Sequence, residues 1–98
     1  MVDYVESLTE GHYEISLLGL ISAANFFITG RDYDAQKKLA RVGHTISSLE
    51  NREDLKNSGL ENHVGFLRRT LNSLKTGRRN AAIEYGEELL SHYLAFTS

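Results

Sequence analysis

The chain has 98 residues, a formal charge of −2 (11 Lys and Arg against 13 Asp and Glu), 41% hydrophobic and 24% charged residues, and neither cysteine nor proline. That length allows one small domain with a real core, and the composition excludes wholesale disorder, disulfides and thiolate metal sites. Without proline every backbone N–H is free to join a helix, and the near-neutral charge favours neither nucleic acid nor a membrane surface.

The first element opens near Ser7, where Ser7 with Glu10 resembles a capping box. Its apolar seam is Tyr13, Leu17, Leu20, Ala24 and Phe27, spaced four and three apart as on one helical face. Ile15, Leu18, Ile21, Phe26 and Ile28 widen that stripe around most of the helix. The stretch Ile15 to Ile28 is nevertheless too short and too interrupted by Ser16, Ser22 and Asn25 to span a bilayer. The acidic N-terminal segment lacks the positive start of a secretory signal, so the expected location is cytoplasmic.

"TGRDYDA" follows at Thr29 to Ala35. Gly30 suits the left-handed position that ends a helix, and Asp32 or Asp34 suits the N-cap of the next. The second seam is Ala35, Leu39, Val42, Ile46 and Leu49, followed by a polar connection from Glu50 to Gly59. Ser58 with Glu61 reads as a capping box before the third seam: Leu60, Val64, Leu67, Leu71 and Leu74. "TGRRNAA" at Thr76 to Ala82 then rewrites the first turn, with Gly77 as the helix terminator and Asn80 as the next cap. The fourth seam is Ala82, Gly86, Leu89, Tyr93 and Phe96, and Ile83, Leu90 and Leu94 lie beside it.

Gly77 stands 47 positions after Gly30, and the same offset carries each seam residue of the first half onto one of the second. The pattern predicts an all-α, antiparallel up-down-up-down four-helix bundle. It is one domain made of two similar hairpins, about 7–50 and about 58–97. Duplication and chance agreement of two heptad patterns both account for the register.

Antiparallel packing would gather Arg31, Lys75, Arg78 and Arg79 at one end, where an acidic segment or a phosphate could bind. No recognition motif or aromatic stacking row accompanies these charges, which argues against nucleic acid. No nucleophile elbow, phosphate loop or nucleotide fingerprint occurs. Glu84, Glu88 and His92 share a helical face but lack converging ligands, so the stripe reads as solvated surface and no metal or cofactor is expected.

His44 lies on the outer side of the second seam among small residues. The segment "ARVGHTISS" resembles the phosphoacceptor helix of histidine-phosphotransfer domains, which implies an exposed histidine exchanging phosphate with response regulators. Ser47 and Ser48 stand where that family carries lysine and glycine. From Gly30 to Phe96 the layout also resembles the flagellin-export chaperones, helical bundles that cradle the helical tail of flagellin. "GRDYDAQKKLARVGHTISSL", "FLRRTLNSL" with Arg68 and Arg69, and "EELLSHYLAF" carry that resemblance. The methionine-leucine-tyrosine signature of their first helix is missing, and the middle connection is shorter.

The resulting expectation is a non-catalytic adaptor or chaperone-like module. It would engage a partner helix, or another copy of itself, through Leu18, Phe26, Ile83, Leu90 and Leu94. The alternatives are phosphotransfer through His44 and a purely structural homodimer.

Overall fold

A computed structural model describes residues 2–52 and 61–97, with side chains from Gly11 onward in the first stretch. Ser58, Leu60 and the start of the third seam lie outside the described residues. The chain is all-α: α1 spans Val2–Ile28, α2 Asp32–Glu50 and α3 Glu61–Thr97. The helix expected to begin near Ser7 therefore begins at Val2 and runs through Gly11.

The first turn forms as its sequence predicts. Gly30 takes φ +82, its N–H donates to the Phe27 carbonyl at 3.2 Å, and Arg31 N–H donates to Phe26 O at 2.7 Å. This pair of bonds is a Schellman closure, and only glycine holds such a φ at no steric cost. The contact that usually seals it is apolar; here the Arg31 guanidinium lies over the Phe26 ring, 5.0 Å from its centre. The expected aspartate cap is not made. Arg31 itself occupies the N-cap position without a side-chain cap, and Asp34 is held by Arg31 Nε at 2.8 Å. Asp32 and Asp34 still place negative charge in the first turn of α2, where the helix dipole favours it.

The second turn differs, although its sequence is nearly the same. Thr29 and Thr76 each donate to a carbonyl four residues back, Asn25 O at 2.9 Å and Asn72 O at 2.7 Å. There the likeness stops. Gly77 keeps a negative φ, and the non-helical residue is Arg78, at φ 49 and ψ −122. Helical hydrogen bonding continues on both sides of this single residue, so the expected third and fourth helices form one element, α3, interrupted at Arg78.

The break folds α3 back on itself. Phe66 and His92 stack with ring centres 3.9 Å apart, whereas a straight helix at 1.5 Å per residue would hold them about 39 Å apart. Tyr13 of α1 meets His63 and Phe96 edge-on, at 5.6 and 5.2 Å. Both ends of α3 thus lie beside the early part of α1. The first arm, 61–77, runs parallel to α1, and the second, 79–97, antiparallel. Both TGR turns consequently lie at the opposite end of the molecule.

The core is what the seams predict, with refinements. Every described seam residue of α1, α2 and the first arm is buried, from Tyr13 to Leu74. The second arm sits shallower: Ala82 and Leu89 are buried, but Gly86, Tyr93 and Phe96 are only half-buried. Burial of the Tyr13 ring pushes its phenol above the ordinary tyrosine value, because ionisation would strand charge among apolar groups. Seam reading missed Ser16, Ala23, Phe66, Thr70 and Ala81, which are also buried. Ser16 is satisfied by donating to His12 O at 2.8 Å.

α1 is the hub, packing extensively against both α2 and α3, which touch each other less. Gly19 permits its closest approach to α2: a methyl group there would collide with Val42 Cγ2. Gly86, by contrast, has open space where its side chain would be. In ordinary helix interiors alanine is worth about 1 kcal/mol over glycine. Gly86→Ala should therefore stabilise the protein by about 0.5–1 kcal/mol. Gly19→Ala should instead destabilise it by about 1–3 kcal/mol through overpacking; urea denaturation of the two variants reads the opposite signs.

Arg78 holds a backbone conformation that costs a non-glycine residue about 1–3 kcal/mol. Arg78→Gly should raise stability by about 1 kcal/mol after allowing for the freer unfolded chain. A lower thermal midpoint for that variant would mean the arginine side chain contributes more than its backbone costs.

Candidate protein-binding surface

Large apolar side chains remain in water on α1 and on the second arm of α3. Ile15 and Leu18 are 59% and 42% exposed, and Ile83, Leu90 and Leu94 are 60%, 49% and 57% exposed. Phe26 departs from expectation. It is half-buried against the core and covered by Arg31, so it is packing rather than free surface.

Two observations place the exposed residues relative to each other. Tyr93 Oη donates to Glu14 Oε1 at 3.4 Å, and Tyr13 meets Phe96, which fixes the antiparallel register of α1 and the second arm. In that register Leu18 stands level with Leu90. Ile83, Leu90 and Leu94 follow at steps of seven and four along one face of the arm.

A groove of about 290 Å³ opens between α1 and α2. Ile15, Leu18 and Val42 are its large apolar lining residues, and Lys38 and Arg41 line it as well. Its shape follows from Gly19, which draws the helices together beneath it. A second hollow of about 360 Å³ lies between the arms of α3, lined by Phe66, Arg69, Thr70, Ser73, Tyr85 and Glu88. No local pattern announces this one, because its walls meet only through the reversal at Arg78.

Arg31, Lys75, Arg78 and Arg79 are all exposed and flank the two turns at one end of the molecule. Arg31 is partly neutralised by Asp34, 2.7 Å away. Arg68 lies farther from that end and serves another purpose. Its Nη2 and Nε donate to Glu50 Oε1 and Oε2 at 2.6 and 3.0 Å, and Nη2 also reaches Ser47 Oγ at 3.0 Å. The hydrogen bonds and charge of Glu50 hold the guanidinium even more firmly protonated than usual. This bidentate pair fastens α3 to the last turn of α2.

His44 is exposed, as expected. Ser47, three residues on, already accepts from Arg68. His92 does not belong to a solvated stripe: it is half-buried and stacked on Phe66. His63 packs edge-on against Tyr13, and His12 Nδ1 is buried without a hydrogen-bond partner among the described residues. Among the described residues no three His, Asp or Glu side chains converge on a metal position, and no helix is long and apolar enough to cross a membrane.

Comparison with known proteins finds no matching family, no matching curated sequence and no matching solved structure.

The Arg68 and Glu50 side chains are about one-third exposed, which limits the worth of their pairing. Arg68→Met should cost no more than about 1 kcal/mol at low ionic strength. The difference from wild type should shrink in molar salt, where surface charges are screened. Urea titrations at low and high sodium chloride measure it.

Proposed function

We propose that the protein is a non-catalytic binding module, adaptor or chaperone-like, that docks a partner helix on the outer surface of α1 and the second arm of α3. The observation that carries this reading is the level pairing of Leu18 with Leu90, flanked by exposed Ile15, Ile83 and Leu94. Exposed side chains at helical spacing on adjacent rods are the anchors a helix-in-groove contact requires. In the same reading the two arms of α3 count as separate rods, completing a four-helix bundle of twin hairpins about the two TGR turns. A cytoplasmic setting belongs to the proposal and is supported by the absence of cysteine.

Phosphotransfer through exposed His44 is the rival. It is the weaker reading because Ser47 and Ser48 replace the lysine and glycine of the resembled family, and Ser47 is already engaged by Arg68.

Leu18→Asp combined with Leu90→Asp tests the docking surface. The double variant should keep its helical circular dichroism, since both side chains are on the surface. Its recovery of a host partner in affinity capture should fall at least about tenfold, the loss expected from removing central apolar anchors. Equal recovery by wild type and variant, or no specific partner for either, overturns the proposal.

A further inference from the structure

The molecule carries two unsatisfied surfaces of opposite charge and similar apolar character. One is the α1–α2 groove, lined by apolar Ile15, Leu18 and Val42 and by cationic Lys38 and Arg41. The other is the second arm of α3, where Ile83, Leu90 and Leu94 stand exposed. Glu87 falls within that same stripe, four residues after Ile83 and three before Leu90, and exposed Glu84 lies beside it. None of the side chains of Lys38, Arg41, Glu84 and Glu87 makes an ion pair or hydrogen bond among the described residues.

These surfaces cannot satisfy each other within one molecule. α2 approaches α1 at Gly19, and the second arm approaches it at Glu14. At 3.6 residues per turn those positions are about 140° apart around α1. The cationic edge and the acidic ridge therefore flank α1 on opposite sides.

We propose that the groove of one molecule receives the second arm of α3 from another copy of this chain. Ile83, Leu90 and Leu94 lie against Ile15, Leu18 and Val42, while Glu84 and Glu87 pair with Lys38 and Arg41. A two-fold axis running alongside α1 exchanges the flanks, so each molecule's cations meet the other's carboxylates and both contacts form together. Closure of this kind leaves no groove or arm free, whereas an open chain of the same contacts would leave one of each unpaired at its ends. The proposal rests on the reading that these surfaces dock a helix, and it names which helix.

Charge reversal tests it on the full chain. Sedimentation equilibrium should show a concentration-dependent dimer for the wild type. Lys38→Glu with Arg41→Glu should weaken it at least about tenfold by setting acid against acid, and Glu84→Lys with Glu87→Lys should do the same by setting base against base. Mixed in equal amounts, the two variants should recover the dimer, because every interface in the mixed pair again has opposite charges. All four side chains are at the surface, so helical circular dichroism should be unchanged throughout. A wild type that stays monomeric, a charge-reversed variant that dimerises like the wild type, or a mixture that fails to recover overturns the proposal. A monomer that still captures a host partner through Leu90 retires the self-pairing and leaves the docking reading intact. A charge-dependent dimer that captures nothing leaves the self-pairing standing and retires the adaptor role.

Discussion

The structure depends on the burial of one face of α1. Leu17, Leu20 and Phe27 are almost wholly removed from water, and they are covered by α2 on one side and by both arms of α3 on the others. Each such side chain contributes about 1.5–3 kcal/mol when taken from water. α2 and α3 meet each other far less, so their mutual placement is mostly inherited from their separate contacts with α1. Arg68, reaching across to Glu50 and Ser47, is a polar link between them.

Two small-scale features set how tightly this arrangement closes. Gly19 lets α2 come within reach of the α1 backbone, while the position 47 residues later in the second half is Phe66, a buried ring stacked on His92. In the second half Gly86, Tyr93 and Phe96 are half-buried, and a hollow opens between the arms of α3. Ile83, Leu90 and Leu94 of the same arm are exposed.

The two turns show how a local signal and its outcome can part. Thr29 and Thr76 make the same back-bond, and Arg31 and Arg78 occupy the same place in the repeat. In the first turn glycine takes the left-handed φ and a Schellman closure follows. In the second the break moves one residue on, to Arg78, and helical bonding resumes at once. A methyl at Gly77 would press on Ala81, 2.9 Å away, so the chain is tight on the far side of the turn as well. Arg78 is the one non-helical residue inside α3, and its two arms lie on either side of it.

By itself the sequence determined the helical class, the reversals near Gly30 and Gly77, and the inward faces of α1, α2 and the first arm of α3. The helical class and inward faces follow from periodicity along the chain, since a face repeating every three or four residues must be buried whatever covers it, and the reversals follow from glycine at the helix ends. The tertiary structure alone decided that Gly19 meets Val42, that Arg68 meets Glu50, and that two grooves open where they do. These depend on the separation and rotation of rods relative to one another. Such quantities arise only when residues distant in sequence compete for the same space, and no local pattern encodes them.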